Sequence, residues 1–122
     1  MAGLILVVDD SAIQRKIYAA TLKASGYEVV TAENGVQGVA MALETMPALI
    51  LMDISMPEMD GLEATRELRR YPEMARVPIL AVTAYTEPEE LEAAYQAGYD
   101  GVIDKNSDRT VVVETVAQWL NG

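Results

Sequence analysis

Four carboxylates, a hydroxyl and an amine stand out in this chain, because each follows a short apolar run. Asp9 and Asp10 follow "LILVV", Asp53 follows "ALILM", Thr83 closes "VPILAVT", and Asp104 and Lys105 follow "GVI". A carboxylate can serve as a nucleophile or as a ligand for a hard cation. Several carboxylates on one rim repel each other unless a cation lies among them, and hard oxygen ligands suit magnesium better than zinc. The chain has no cysteine and no histidine. Thiolate nucleophiles, thiolate metal sites and the usual imidazole base are therefore excluded. Each residue alone has a plainer reading. Asp10 could cap the next helix, Asp53 could cap a turn, Thr83 could be a strand-end hydroxyl and Lys105 a solvated lysine. Their joint placement at successive strand ends is much harder to explain that way.

The elements that must position these residues alternate. Strands are expected at "LILVV", "YEVVTA", "ALILM", "VPILAVTA" and "GVID". Between them the apolar spacing predicts helices over Ser11 to Ser25, Asn34 to Glu44 and Leu62 to Tyr71, stopped by Gly26, Pro47 and Pro72. Thr86 offers an N-cap with Glu89 as a capping box for a fourth helix, which carries Leu91, Ala94 and Tyr95 on one face and ends at Gly98. A last helix, Thr110 to Leu120, places Val113, Val116, Ala117 and Leu120 on one face, with Val112 and Trp119 on its flank. Strand–helix alternation with short links implies an α/β fold, a parallel sheet wound on both faces. Such sheets bind ligands beyond the carboxyl ends of their strands.

The chain has 122 residues and a formal net charge of -10, so one domain with a real core is expected, and phosphate backbones are repelled. Nucleic acid is not an expected partner. No apolar run spans a membrane and the start lacks a signal-peptide pattern, so a cytoplasmic protein is expected.

The segments "VVDD" (Val7 to Asp10), "LMDISMPEMDG" (Leu51 to Gly61), "VTA" (Val82 to Ala84) and "DK" (Asp104, Lys105) resemble, in order and along the whole chain, the receiver domain of two-component response regulators. The similarity is to the single-domain type, like the chemotaxis regulator. The resemblance implies a five-stranded flavodoxin-like sheet of order 2-1-3-4-5. It implies that Asp53 is phosphorylated from a histidine kinase or a histidine phosphotransfer protein. It implies Mg²⁺ held by Asp10, Asp53 and the Ser55 carbonyl, with Asp9 acting mainly through water. Lys105, the Thr83 hydroxyl and the Ala84 N–H would bind phosphoryl oxygens. Output would run through the face of helix four, strand five and helix five, by protein binding or onward phosphotransfer. The chain ends at Gly122, just after the last helix, so a single receiver domain over residues 1–122 without an output domain is expected.

Two positions depart from the family pattern. Asn106 stands where receivers usually carry a proline after the lysine. A cis bond there costs about 2.5–4 kcal/mol without proline, so Lys105–Asn106 is expected to be trans. Val102 stands where an aromatic switch residue is usual, so that readout is absent or moved. Tyr85, two residues past Thr83, is expected at the pocket mouth, as a shield against water or as the displaced switch. Two rival readings remain. A phosphatase of the haloacid dehalogenase type would need a second aspartate where Ser55 stands. A degenerate interaction module would need no phosphorylation at all.

Overall fold

The structure is a computed structural model that describes residues 3–84 and 86–121. Five parallel strands form one sheet in the order β2-β1-β3-β4-β5: β1 (Leu4–Val8), β2 (Glu28–Ala32), β3 (Leu49–Asp53), β4 (Ile79–Thr83) and β5 (Gly101–Asp104). The register pairs Val8 with Met52, Asp53 with Val82, and Thr83 with Asp104. The carboxyl ends of β1, β3, β4 and β5 therefore share one rim, and the order changes direction between β1 and β3.

The inner strands β1, β3 and β4 are buried on both faces, as a covered parallel sheet requires. Ile5 and Val7 point into one core with Leu49, Leu51, Leu80 and Val82. Tyr18 and Leu22 of α1 (Ala12–Ala24) and Val112 and Val116 of α5 (Arg109–Asn121) close that side. Leu6, Val8, Ile50, Met52 and Ala81 point to the other core. There α2 (Gly35–Thr45), α3 (Gly61–Arg69) and α4 (Pro88–Ala97) cover them through Ala42, Ala64, Leu68, Ala94 and Ala97.

Local chemistry sets the helix ends. Ser11, Asn34 and Asp60 accept from the backbone N–H groups of Gln14, Gln37 and Glu63 and so begin α1, α2 and α3. Three expectations need correction. Thr86 does not cap α4: Glu87 takes the cap position without a side-chain hydrogen bond, because Pro88, with its preset φ and missing N–H, suits the first helical position. On the expected face of α4 only Ala94 is buried, Leu91 is half-buried, and Tyr95 is 52% exposed. Val112 is not on the flank of α5. It is a core residue with Val116, while Val113, Ala117 and Leu120 are half-buried. A short 3-10 turn, Pro72–Met74, was not foreseen; it buries Met74. No helix among the described residues is long and apolar enough to cross a membrane.

Candidate functional site

Asp53 is the last residue of β3 and is buried to 3% exposure. The Lys105 ammonium, delivered by the turn after β5, donates to Asp53 Oδ2 at 3.0 Å and lies 3.6 Å from Asp9 Oδ2. Asp9, just past β1, is equally buried, whereas its neighbour Asp10 is exposed. Asp9 Oδ1 accepts from the Ser11 N–H at 2.9 Å, but Asp9 Oδ2 is buried without a hydrogen-bond partner among the described residues. One carboxylate oxygen from each of Asp9, Asp10 and Asp53 falls within 4.8 Å of the others. An orphaned buried oxygen inside a cluster of hard anionic ligands fits a small divalent cation such as Mg²⁺.

The electrostatics follow from burial. Desolvation pushes the Asp53 carboxyl above its ordinary value, against the hydrogen bond from Lys105. Desolvation raises Asp9 in the same way, opposed by the Ser11 N–H and Lys105. Burial alone would lower the Lys105 ammonium, yet contact with Asp53 and the charge of Asp9 leave it raised. Among the described residues Lys105 is the one cation paired with these carboxylates, and it does not balance three acids.

The other candidates are placed around this centre. Thr83 ends β4, is buried, and its carbonyl accepts from the Lys105 N–H at 2.9 Å. Ala84 and Ser55 are exposed, and the Ser55 N–H lies 3.4 Å from Asp53 Oδ1. Val102 is half-buried against the α2–α4 side of the sheet. Tyr85 lies outside the described residues. Lys105–Asn106 is trans, as expected. In place of the family's proline, Asp104 shapes the loop by accepting from the Asn106 N–H at 2.8 Å.

Arg15, Tyr18 and Tyr99 escaped the sequence reading, and Gly61 entered it only as the end of the segment after Asp53. Arg15 donates to the Asp9 carbonyl at 2.7 Å. Tyr18 packs beneath the acids, and its phenol is raised first by burial and then by Asp9. Gly61 begins α3 with no room for a side chain, since a Cβ there would meet the Asp53 carbonyl oxygen and the Tyr99 hydroxyl. Tyr99 reaches the Met52 carbonyl from below at 3.3 Å. Only Gly61 carried a signal in the sequence, as part of the segment after Asp53.

Residues 5–117 match the family model described as "Response regulator receiver domain". The polar-differentiation response regulator DivK of Brucella anthropi is 34% identical over 120 residues, covering 98% of each chain. Among solved structures, the Vibrio cholerae chemotaxis protein CheY4 superposes with a TM-score of 0.94 at 31% identity, over 98% of this chain and 100% of that one. The receiver domain of the sensor histidine kinase PA1611 from Pseudomonas aeruginosa, which has a magnesium ion coordinated in its active site cleft, superposes at 0.92 with 32% identity over the full length of both chains.

Proposed function

The chain belongs to the response regulator receiver domain family, and from that membership we propose that Asp53 is its phosphoacceptor. The carrying observation is the buried Asp53 carboxylate, held at 3.0 Å by Lys105 and grouped with Asp9 and Asp10 at the switch point of the sheet. An Asp53 oxygen attacks the phosphorus of a phosphohistidine on a kinase or phosphotransfer protein. The P–O bond forms, the P–N bond breaks, and its electron pair leaves with the imidazole, which takes up a proton. This chain has no histidine and depends on a partner for that donor.

Each neighbour has a part. Lys105 pairs with one phosphoryl oxygen; the Thr83 hydroxyl and the Ala84 N–H receive another. Asp10, Asp53 and the Ser55 carbonyl would hold Mg²⁺, with Asp9 acting through water. When bound, the ion supplies positive charge against the phosphoryl oxygens. Charge added at Asp53 then draws Thr83 inward and shifts the population of the α4–β5–α5 face, where Tyr95, Val111 and Trp119 are exposed. We assign the protein to the cytoplasm, as a signalling phosphoacceptor with no nucleic-acid partner. A phosphorylation-independent module is not favoured, because acids, hydroxyl and lysine stand together.

Incubation with acetyl phosphate and Mg²⁺ tests the reading. The wild-type protein should take up one hydroxylamine-labile phosphate, and EDTA present from the start or Asp53→Asn should prevent that uptake. Equal labelling of Asp53→Asn would contradict it.

A further inference from the structure

Tyr99 lies beneath the acceptor and is anchored from three sides. It follows Gly98, the left-handed residue (φ 115°) that ends α4. Its N–H donates to the Ala94 carbonyl at 3.2 Å, and the next residue, Asp100, donates to the Ile79 carbonyl at 2.8 Å. The Asp100 carboxylate accepts from the Ile79 N–H at 2.9 Å and from the Arg69 guanidinium at 2.6 Å. From this fixed base the ring runs inward through the α2–α4 core, and its hydroxyl donates to the Met52 carbonyl at 3.3 Å. That carbonyl belongs to the peptide bond that carries the Asp53 nitrogen.

Two further details mark the hydroxyl rather than the ring. The missing side chain of Gly61 is what lets the Tyr99 hydroxyl, the Asp53 carbonyl and the start of α3 meet. The Thr65 hydroxyl is buried near it and has no hydrogen-bond partner among the described residues. A polar group taken out of water is costly unless it is bonded, and a phenyl ring would fill the same core without that cost.

Taking Asp53 as the acceptor, we infer that Tyr99 is a positioning residue, whose hydroxyl orients the Met52–Asp53 peptide and ties the acceptor end of β3 to the α4–β5 corner. The carboxylate is thereby aimed toward Lys105 and Asp9, and a displacement at Asp53 is passed to the residues Gly98 to Gly101.

Tyr99→Phe keeps the ring and removes the link. Its rate of labelling by acetyl phosphate at saturating Mg²⁺ should fall about three- to tenfold, the worth of one buried hydrogen bond in the transition state. Packing alone would not produce the second readout. Beryllofluoride, a phosphoryl mimic, should shift the amide resonances of Gly98, Asp100 and Gly101 in the wild type. In Tyr99→Phe those shifts should vanish, while the shifts at Asp10 and Ser55 remain. Unchanged rate and unchanged amide shifts in a labelled Tyr99→Phe protein would overturn this role and leave the acceptor assignment standing. A wild-type protein that takes no label would overturn both. If the variant fails to fold, the wild-type Tyr99 ring resonances decide: they move on adding beryllofluoride, or the proposal fails.

Discussion

Asp9 and Asp53 are held in a costly state while, among the described residues, Lys105 is the one cation paired with their carboxylates. Both carboxyls are raised from their ordinary value of 3.8, chiefly by burial. Between that value and the raised native value, the native state binds more protons than the unfolded chain. Stability without metal should therefore fall as pH rises through this window, and the cost persists above it. Urea titrations in EDTA at about pH 5 and about pH 7 should show less stability at the higher pH. Asp9→Asn should flatten that slope and stabilise the metal-free protein near neutrality. Saturating Mg²⁺ should reverse the order of the two pH values, since a ligand of the native state adds stability by mass action. A steeper slope in Asp9→Asn would contradict this electrostatic account. The candidate residues were legible in the sequence because acids, a hydroxyl and a lysine gathered at successive strand ends are hard to explain by separate capping or surface roles. Tyr99 and Tyr18 were not legible, because a buried tyrosine reads like any other core aromatic until its hydroxyl has an address.

The elements were legible for the same kind of reason. Alternating apolar runs and stops at Gly26, Pro47 and Gly98 delimit strands and helices without reference to tertiary contacts. Helix starts were less legible where two cues competed, as at Thr86 and Pro88, and the steric preference of proline won. Backbone conformation inside the β3–α3 link was invisible in the sequence. Glu58 there has φ 67°, a left-handed conformation that costs a non-glycine residue energy, and it is exposed with no hydrogen bond to lose among the described residues. Glu58→Asn should therefore stabilise the protein by about 0.5–1 kcal/mol in urea unfolding, since asparagine tolerates this region. Met46, which caps α2 at φ 49°, is a poorer target, because about half its side chain is buried. There the relief gained with glycine and the burial lost are each about 1 kcal/mol and offset one another. A destabilised Glu58→Asn would show that the conformation is held by contacts worth more than the strain.

At the scale of the molecule, one sheet separates two apolar cores, and every strand contributes to both or lies between them. The sequence foretold this layering from the alternation of strand and helix patterns with short links. It did not foretell which stripe of α5 turns inward, since Val112 and Val113 are equivalent until the helix is docked. Trp119 lies against the edge of the sheet, where its Cζ2 would be 3.3 Å from a Cβ at Gly101, yet it remains 42% exposed. Its fluorescence thus reports the outer side of one core, while far-ultraviolet circular dichroism reports all helices. A chain of this size with cores joined through one sheet should unfold in a single transition, with the two signals superimposed in urea. Separated midpoints would mean that α5 and its core open independently of the rest.

The most direct test of the central claim is to locate the phosphoryl group in the wild-type protein. After reaction with a phosphorylated histidine donor and Mg²⁺, reduction of the acyl phosphate with borohydride converts the acceptor aspartate to homoserine, which peptide mass spectrometry can place. The account predicts one modified residue, Asp53. Modification at Asp9, Asp10 or Ser55 instead, or an unmodified chain under conditions that label a known receiver, would contradict it.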